Sequence, residues 1–198
     1  MPGQEAPTVD TLTKSQAARR QRVIRASLEL AAEGGYDAVQ MRDVAARANV
    51  ALGTIYRYFS SKDSLLASAM VEWVADLEKT VLARPPTGRH TADRVMDVLN
   101  RALRAMERQP QLARAVVSAL ISGDPAGVDA MNTMTSTVAR IMRPAFPDDV
   151  DPALEASVAK MLGHVWWSCL IAWANGMGDM AWVSSELTEA ATLLTASE

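Results

Sequence analysis

The chain holds 198 residues, 49% of them apolar and 22% charged, with a net charge of −3, enough apolar material for a packed core without staples. Its one cysteine, Cys169, excludes an intramolecular disulfide framework and suits a reducing compartment. No apolar run approaches the roughly 18 residues of a membrane span, and MPGQEAPTVDTLTKSQ lacks the apolar centre of a signal peptide, so the expected setting is the cytoplasm, with no membrane partner.

The mean charge hides an asymmetry. From Lys14 to Lys62 nine Lys and Arg face four acids, a net +5, whereas from Asp63 onward eleven cations face seventeen acids, a net −6. A basic front and an acidic back fit two modules, of which only the first meets a polyanion.

In chain order, residues 1 to about 15 carry Pro2, Gly3 and Pro7 without periodicity and read as a disordered arm. From Gln16 a helical pattern begins, with Val23, Ile24, Ser27, Leu28 and Ala31 on one face, and Gly34-Gly35 ends it. A short helix, MRDVAARA, is predicted from Met41 to Ala48, with Val44, Ala45 and Ala48 inward. Asn49 falls where a tight turn needs positive φ, and LGTIYRYF forms a third helix from Leu52 to Phe59. Ser60 or Ser61 caps the fourth, whose stripe is Leu66, Met70, Trp73 and Leu77 until Pro85-Pro86 and Gly88 break it. Punctuation bounds five more: about Thr91–Arg108, Pro110–Ser122, Ala126–Met142, Pro152–Asn175 and Met180–Thr195. No β alternation competes, so the expected fold is all-α, three small helices followed by six longer ones.

Two short helices joined by a tight turn, backed by a longer one, make a helix-turn-helix, whose second helix enters the major groove of DNA. On LGTIYRYF, Ile55 and Phe59 face the core, and Leu52, Thr54, Tyr56 and Tyr58 cannot all share that face. Thr54, Tyr56 and Tyr58 offer hydroxyls to phosphates, and Gly53 lets a backbone come close. Arg57 and Lys62 add charge, while Gln40 and Arg42 open the preceding helix on its phosphate-crossing side. The bland readings stand beside these: half-buried tyrosines that cap a core, and Arg19, Arg20 and Arg22 as a solvated face. Gathered in one basic segment at this spacing, the residues favour double-stranded DNA.

The stretch GGYDAVQMRDVAARANVALGTIYRYFSSKDSLL resembles the N-terminal domain of the TetR family of transcriptional regulators, departing at Asn49, where many members have Gly. The resemblance implies DNA contacts at Arg42, Gly53, Thr54, Tyr56, Tyr58 and Lys62, a homodimer on a near-palindromic operator, and repression as the default. It divides the chain into the arm 1–15, a DNA-binding domain 16–62 with the helix-turn-helix at about 41–60, and an effector-binding and dimerisation domain 63–198.

In that last region fall nine of the eleven Met and all five Trp. Met and Trp at helical spacing are ordinarily core, but so many pliant Met side chains also suit an adaptable cavity. The residues expected around a ligand are Met70, Trp73, Leu77, Leu99, Met106 and Leu120. From the later helices come Met134, Val138, Met161, Val165, Trp166, Cys169 and Trp173. LNRALRAMERQPQLARA and VWWSCLIAW resemble actinobacterial repressors of sterol catabolism, the KstR type, which implies a small hydrophobic effector, large and apolar among such molecules, carried as a CoA thioester. Arg101, Arg104 and Arg108 form a row that reads either as phosphate contacts at a pocket mouth or as a solvated face.

Three other readings stand open. A TetR-like efflux regulator sensing lipophilic cationic drugs wants acids in its pocket, and Glu107 and Glu155 are the mid-helix candidates. A DNA-binding dimer without any effector would use the C-terminal helices only for pairing. An enzyme would have to assemble His90, His164 and Cys169 without an evident third group, and two His with one Cys are too few for a zinc site. No cofactor is expected.

Overall fold

A computed structural model describes residues 12–196. Most of the expected arm, residues 1–11, lies outside the described residues. The helices are α1 (Lys14–Ala38), α2 (Met41–Ala48), α3 (Leu52–Tyr58), α4 (Lys62–Leu82), α5 (Thr91–Glu107), α6 (Pro110–Leu120), α7 (Pro125–Met142), α8 (Pro152–Ala174) and α9 (Met180–Leu194). One 3-10 turn, Arg143–Ala145, follows α7, and no strand occurs among the described residues. The all-α expectation holds, and the predicted helix ends agree with these to within two residues, apart from α1.

By packing, the chain forms two compact units that do not follow the expected boundary at Lys62. One contains the described residues to Val71 together with Pro110–Ala130; the other contains Glu72–Gln109 and the described residues from Met131 onward. The difference arises at α6, which lies along α1 in the most extensive helix pairing of the first unit. α6 buries Leu112, Ala113, Ala115, Val116, Val117, Ala119 and Leu120, and α1 buries Val23, Ile24, Ala26, Ser27, Leu30 and Ala31. Small residues on both helices let the backbones approach, and each fully covered Ile or Val stabilises by roughly 1.5–3 kcal/mol.

Within the first unit local chemistry sets the ends. The Thr13 hydroxyl accepts from the Gln16 amide at 3.3 Å, and the Gln16 side chain accepts from the Thr13 amide at 2.8 Å. This capping box starts α1 two residues earlier than the apolar pattern does. At the far end the backbone leaves helical geometry at Gly34 and Gly35, the latter at φ 72°, and a single turn from Tyr36 to Ala38 follows. Asn49 ends α2 in the left-handed region at φ 52° and ψ 56°, as its position predicts. Of the two serines offered as the cap of α4, Ser61 does it, accepting from the Ser64 amide at 2.9 Å.

The second unit is built on α5, which packs against α9, while α9 packs against α8. Asp151 caps α8 through the Ala153 amide at 2.9 Å, and Asp179 caps α9 through the Trp182 amide at 2.8 Å. Its polar centre is Arg101, only 9% exposed. The guanidinium donates to the carbonyls of Val81 at 2.9 Å, Arg84 at 2.8 Å and Pro85 at 3.0 Å, and it pairs with the Asp97 carboxylate. It therefore seals the C-terminal end of α4, where backbone carbonyls lack partners within the helix. The pairing corrects the expected arginine row: Arg101 is engaged in the interior, and only Arg104 and Arg108 remain exposed.

Candidate nucleic-acid interface

The reading helix is fixed from its inner side. Ile55 and Phe59 are fully buried, which settles the orientation of α3 through a spacing of four residues. Outward lie Gly53, Tyr56 and Arg57, exposed, with Leu52 and Thr54 half-buried; Tyr56 is 53% exposed. A methyl on Gly53 would meet no atom within 4 Å, so the fold itself makes no demand for glycine there. In helix interiors glycine costs about 0.5–1 kcal/mol relative to alanine.

On α2, Gln40 and Arg42 are both exposed at the opening of the helix; Gln40 occupies the cap position and its amide donates to the Asp37 carbonyl at 2.9 Å. One of the expected contacts is placed differently. Tyr58 is only 6% exposed: its ring joins the core beside Phe59, and its hydroxyl accepts from Arg57 Nη2 at 3.2 Å. Spacing explains this, because Tyr58 lies three residues after Ile55 on the inward side of α3, next to Phe59 just past the helix end. Lys62 is half-buried, with its ammonium 3.7 Å from the centre of the Tyr36 ring and donating to the Tyr36 carbonyl at 3.2 Å. Tyr36 in turn donates to Asp63 Oδ1 at 2.6 Å, and burial, followed by that hydrogen bond, pushes its phenol pKa up to about 12. Tyr36, which follows the Gly-Gly that ends the long run of α1, joins the site through these contacts.

Of the residues expected around a ligand, Met70 and Leu120 are buried in the first unit. In the second, Leu99, Met106, Trp166, Cys169 and Trp173 are buried, and Trp73, Leu77, Met134, Val138 and Val165 are half-buried. Met161 departs from the expectation, since it is 38% exposed on the outer side of α8. A cleft of about 260 Å³ in this unit is lined by Val81, Leu82, Arg84, Pro85, Pro86, Val98, Ile141 and Pro144, and a shallower groove of about 550 Å³ runs along α9. None of the residues expected around a ligand lines either one.

Cys169 is buried, and burial followed by the charge of Glu186 raises its thiol pKa, which keeps it from the thiolate form that attacks. Among the described residues no group of three or more His, Cys, Asp or Glu is placed to hold a metal, and no helix is long and apolar enough to cross a membrane.

A left-handed turn between two short helices, an outward-facing second helix and a basic surround define a helix-turn-helix DNA-binding regulator. Residues 23–69 match the model for bacterial regulatory proteins of the tetR family, and residues 88–194 match a tetracyclin repressor-like C-terminal domain. The chain belongs to the TetR family of DNA-binding transcriptional regulators. It is 35% identical to the HTH-type transcriptional repressor KstR of Rhodococcus jostii (strain RHA1), over 93% of this chain and 86% of that protein. It is similar to the crystal structure of a TetR transcriptional regulator from Rhodococcus sp. RHA1, with a TM-score of 0.78 and 30% identity over 91% of this chain and 97% of that one. FadR of Thermus thermophilus, a TetR-family repressor crystallised with lauroyl-CoA, shares the fold, with a TM-score of 0.67 and 21% identity over 88% of this chain and 92% of that one.

Proposed function

We propose that this chain is a repressor that binds a near-palindromic operator as a homodimer and lets go when a large hydrophobic effector, a sterol- or lipid-derived acyl-CoA, occupies its C-terminal helices. The observation that carries the DNA side is α3: Ile55, Tyr58 and Phe59 hold one side in the core while Gly53, Tyr56 and Arg57 stand in solvent. Thr54, Arg42 and Gln40 flank them, a set that suits phosphates and a close backbone approach. Two such heads meet half-sites one turn apart, about 34–36 Å, only when a dimer sets their spacing.

For dimerisation, α8 exposes Leu154 and Met161, and α9 exposes a face of small residues, Ala181, Ser185, Thr188 and Thr192, beside Leu193. Such a face lets a second helix come close. The effector class is supported by the KstR likeness across nearly the whole chain and, at the level of fold, by a neighbour described in complex with lauroyl-CoA. The sensor of cationic drugs is less well supported, because Glu155 pairs with Arg143 at 3.2 Å and Glu107 is exposed at the end of α5. The test is to select bound duplexes from random DNA and then add acyl-CoA thioesters of sterol-derived and fatty acids. Release by thioesters, with quenching of the Trp166 or Trp73 fluorescence, supports the proposal. A selected duplex that no thioester releases leaves a DNA-binding dimer without this effector.

A further inference from the structure

Three consecutive residues at the start of α4 are each tied to a distant element of the same unit. Lys62 and Asp63 are both engaged by Tyr36, as described above. Ser61, besides capping α4, donates its hydroxyl proton to Asp124 Oδ2 at 2.6 Å, across 63 positions of sequence. Asp124 sits between α6 and α7 and is itself held on three sides. Its other carboxylate oxygen accepts from the Ala126 amide at 2.9 Å, its carbonyl accepts from the Gly127 amide at 2.8 Å, and its own amide donates to the Ser122 hydroxyl at 3.4 Å. Ser122 in turn donates to the Ala119 carbonyl at 2.8 Å, and Gly127 is so close to α6 that a methyl there would lie 3.2 Å from the Leu120 carbonyl oxygen. The carboxylate therefore presents one fixed acceptor to Ser61.

We infer that Asp124 is a positioning residue for DNA binding: through Ser61 it fixes the first turn of α4, and with it the backbone that carries Lys62, whose ammonium, steadied by Tyr36, meets a phosphate. The inference rests on the DNA reading of Lys62. A lysine carries about 2 kcal/mol of rotamer entropy, so a contact made from a pinned first turn loses less on binding than one made from a loose turn. The sign of the effect separates this role from that of an ordinary surface acid. Removing a negative charge from a DNA-binding head strengthens binding by general electrostatics, whereas removing the acceptor that holds Ser61, and with it the first turn of α4, weakens it.

The experiment measures affinity for a duplex selected from random DNA by the wild-type protein, as a function of salt, with melting temperature and sedimentation as checks on fold. Asp124→Ala and Ser61→Ala are each expected to weaken binding about fivefold, the worth of one hydrogen bond, despite the lost acid. Because Ser61→Ala also loses the cap of α4, the double variant is expected to be no worse than Ser61→Ala alone, and Ser61→Thr, which keeps the hydroxyl, to bind like wild type. The salt slope of Asp124→Ala is expected to shrink toward that of Lys62→Ala, itself about one unit below wild type. Should Asp124→Ala not fold, Ser61→Ala against Ser61→Thr carries the same comparison. Unchanged or tighter binding by both Ala variants overturns the inference, and so does plain additivity. If Lys62→Ala leaves the slope unchanged, the phosphate role of Lys62 falls together with the inference; if only the Asp124 and Ser61 variants are silent, the inference alone falls.

Discussion

Gly53 is the residue at which stability and binding pull in opposite directions. It occupies an exposed helical position where a methyl would meet nothing, so the folded chain alone would be better served by alanine. Gly53→Ala is expected to raise stability by about 0.5–1 kcal/mol in denaturant unfolding while weakening duplex binding, because the methyl intrudes where a backbone approaches. Equal binding by the alanine variant would remove the close approach from the mechanism. Tyr56 gives the complementary case, since its ring is more than half exposed and its hydroxyl is free to point outward. Tyr56→Phe is expected to bind duplex about fivefold less tightly with an unchanged melting temperature. An unaltered dissociation constant would take Tyr56 off the list of phosphate contacts.

Among the elements, the end of α4 is the most strongly determined and the least evident beforehand. Arg101→Met removes donors from three carbonyls and leaves Asp97 without its cation, which is expected to destabilise the protein by about 3–5 kcal/mol in thermal or denaturant melts. Arg101→Lys rescues little of this, because an ammonium cannot reach all four acceptors from one place. Burial on its own would raise the Asp97 carboxyl; hydrogen bonds from Arg101 and from the Thr87 amide and hydroxyl outweigh it and hold the group below its ordinary 3.8. A carboxyl lowered on folding contributes stability above its unfolded value, and that stability drains away as pH falls through the folded value. Glu78, lowered chiefly by its hydrogen bond from Arg140, acts in the same sense. Acid titration of the melting temperature is thus expected to show a loss beginning near pH 4, and Asp97→Asn to flatten it. The same elements show what the sequence makes legible. Helix ends could be read from Pro110, Pro152, Asn49 and the serines before Lys62, because capping and φ preferences act over a few residues. The inward side of α3 could be read from Ile55 and Phe59 at their spacing. The partner of a charged side chain could not: Arg101 looks like one member of a surface row until the chain brings Val81, Arg84 and Pro85 over it. Periodicity likewise announces that α6 has an apolar side but not that α1 is what covers it. The capping box is local too, with Gln16 at the start of the helical pattern and Thr13 three residues ahead of it.

At the scale of the whole molecule, the proposed operator recognition depends on two copies, and the exposed apolar residues of α8 are the place to test that. Met161→Glu puts a charge on the face proposed to meet a second α8 or α9, and is expected to shift sedimentation toward the monomer and to lower affinity for a duplex with two half-sites far more than for a single half-site. A variant that stays dimeric would move the seam elsewhere. The buried Cys169 offers a way to follow this half of the protein in motion. It is the chain's one thiol, it lies on α8 where α8 packs against α9, and its raised pKa keeps it protonated at neutral pH. An alkylating reagent can reach it only when those helices part, so the labelling half-life is an internal stopwatch for bundle breathing, already installed and needing no engineered probe.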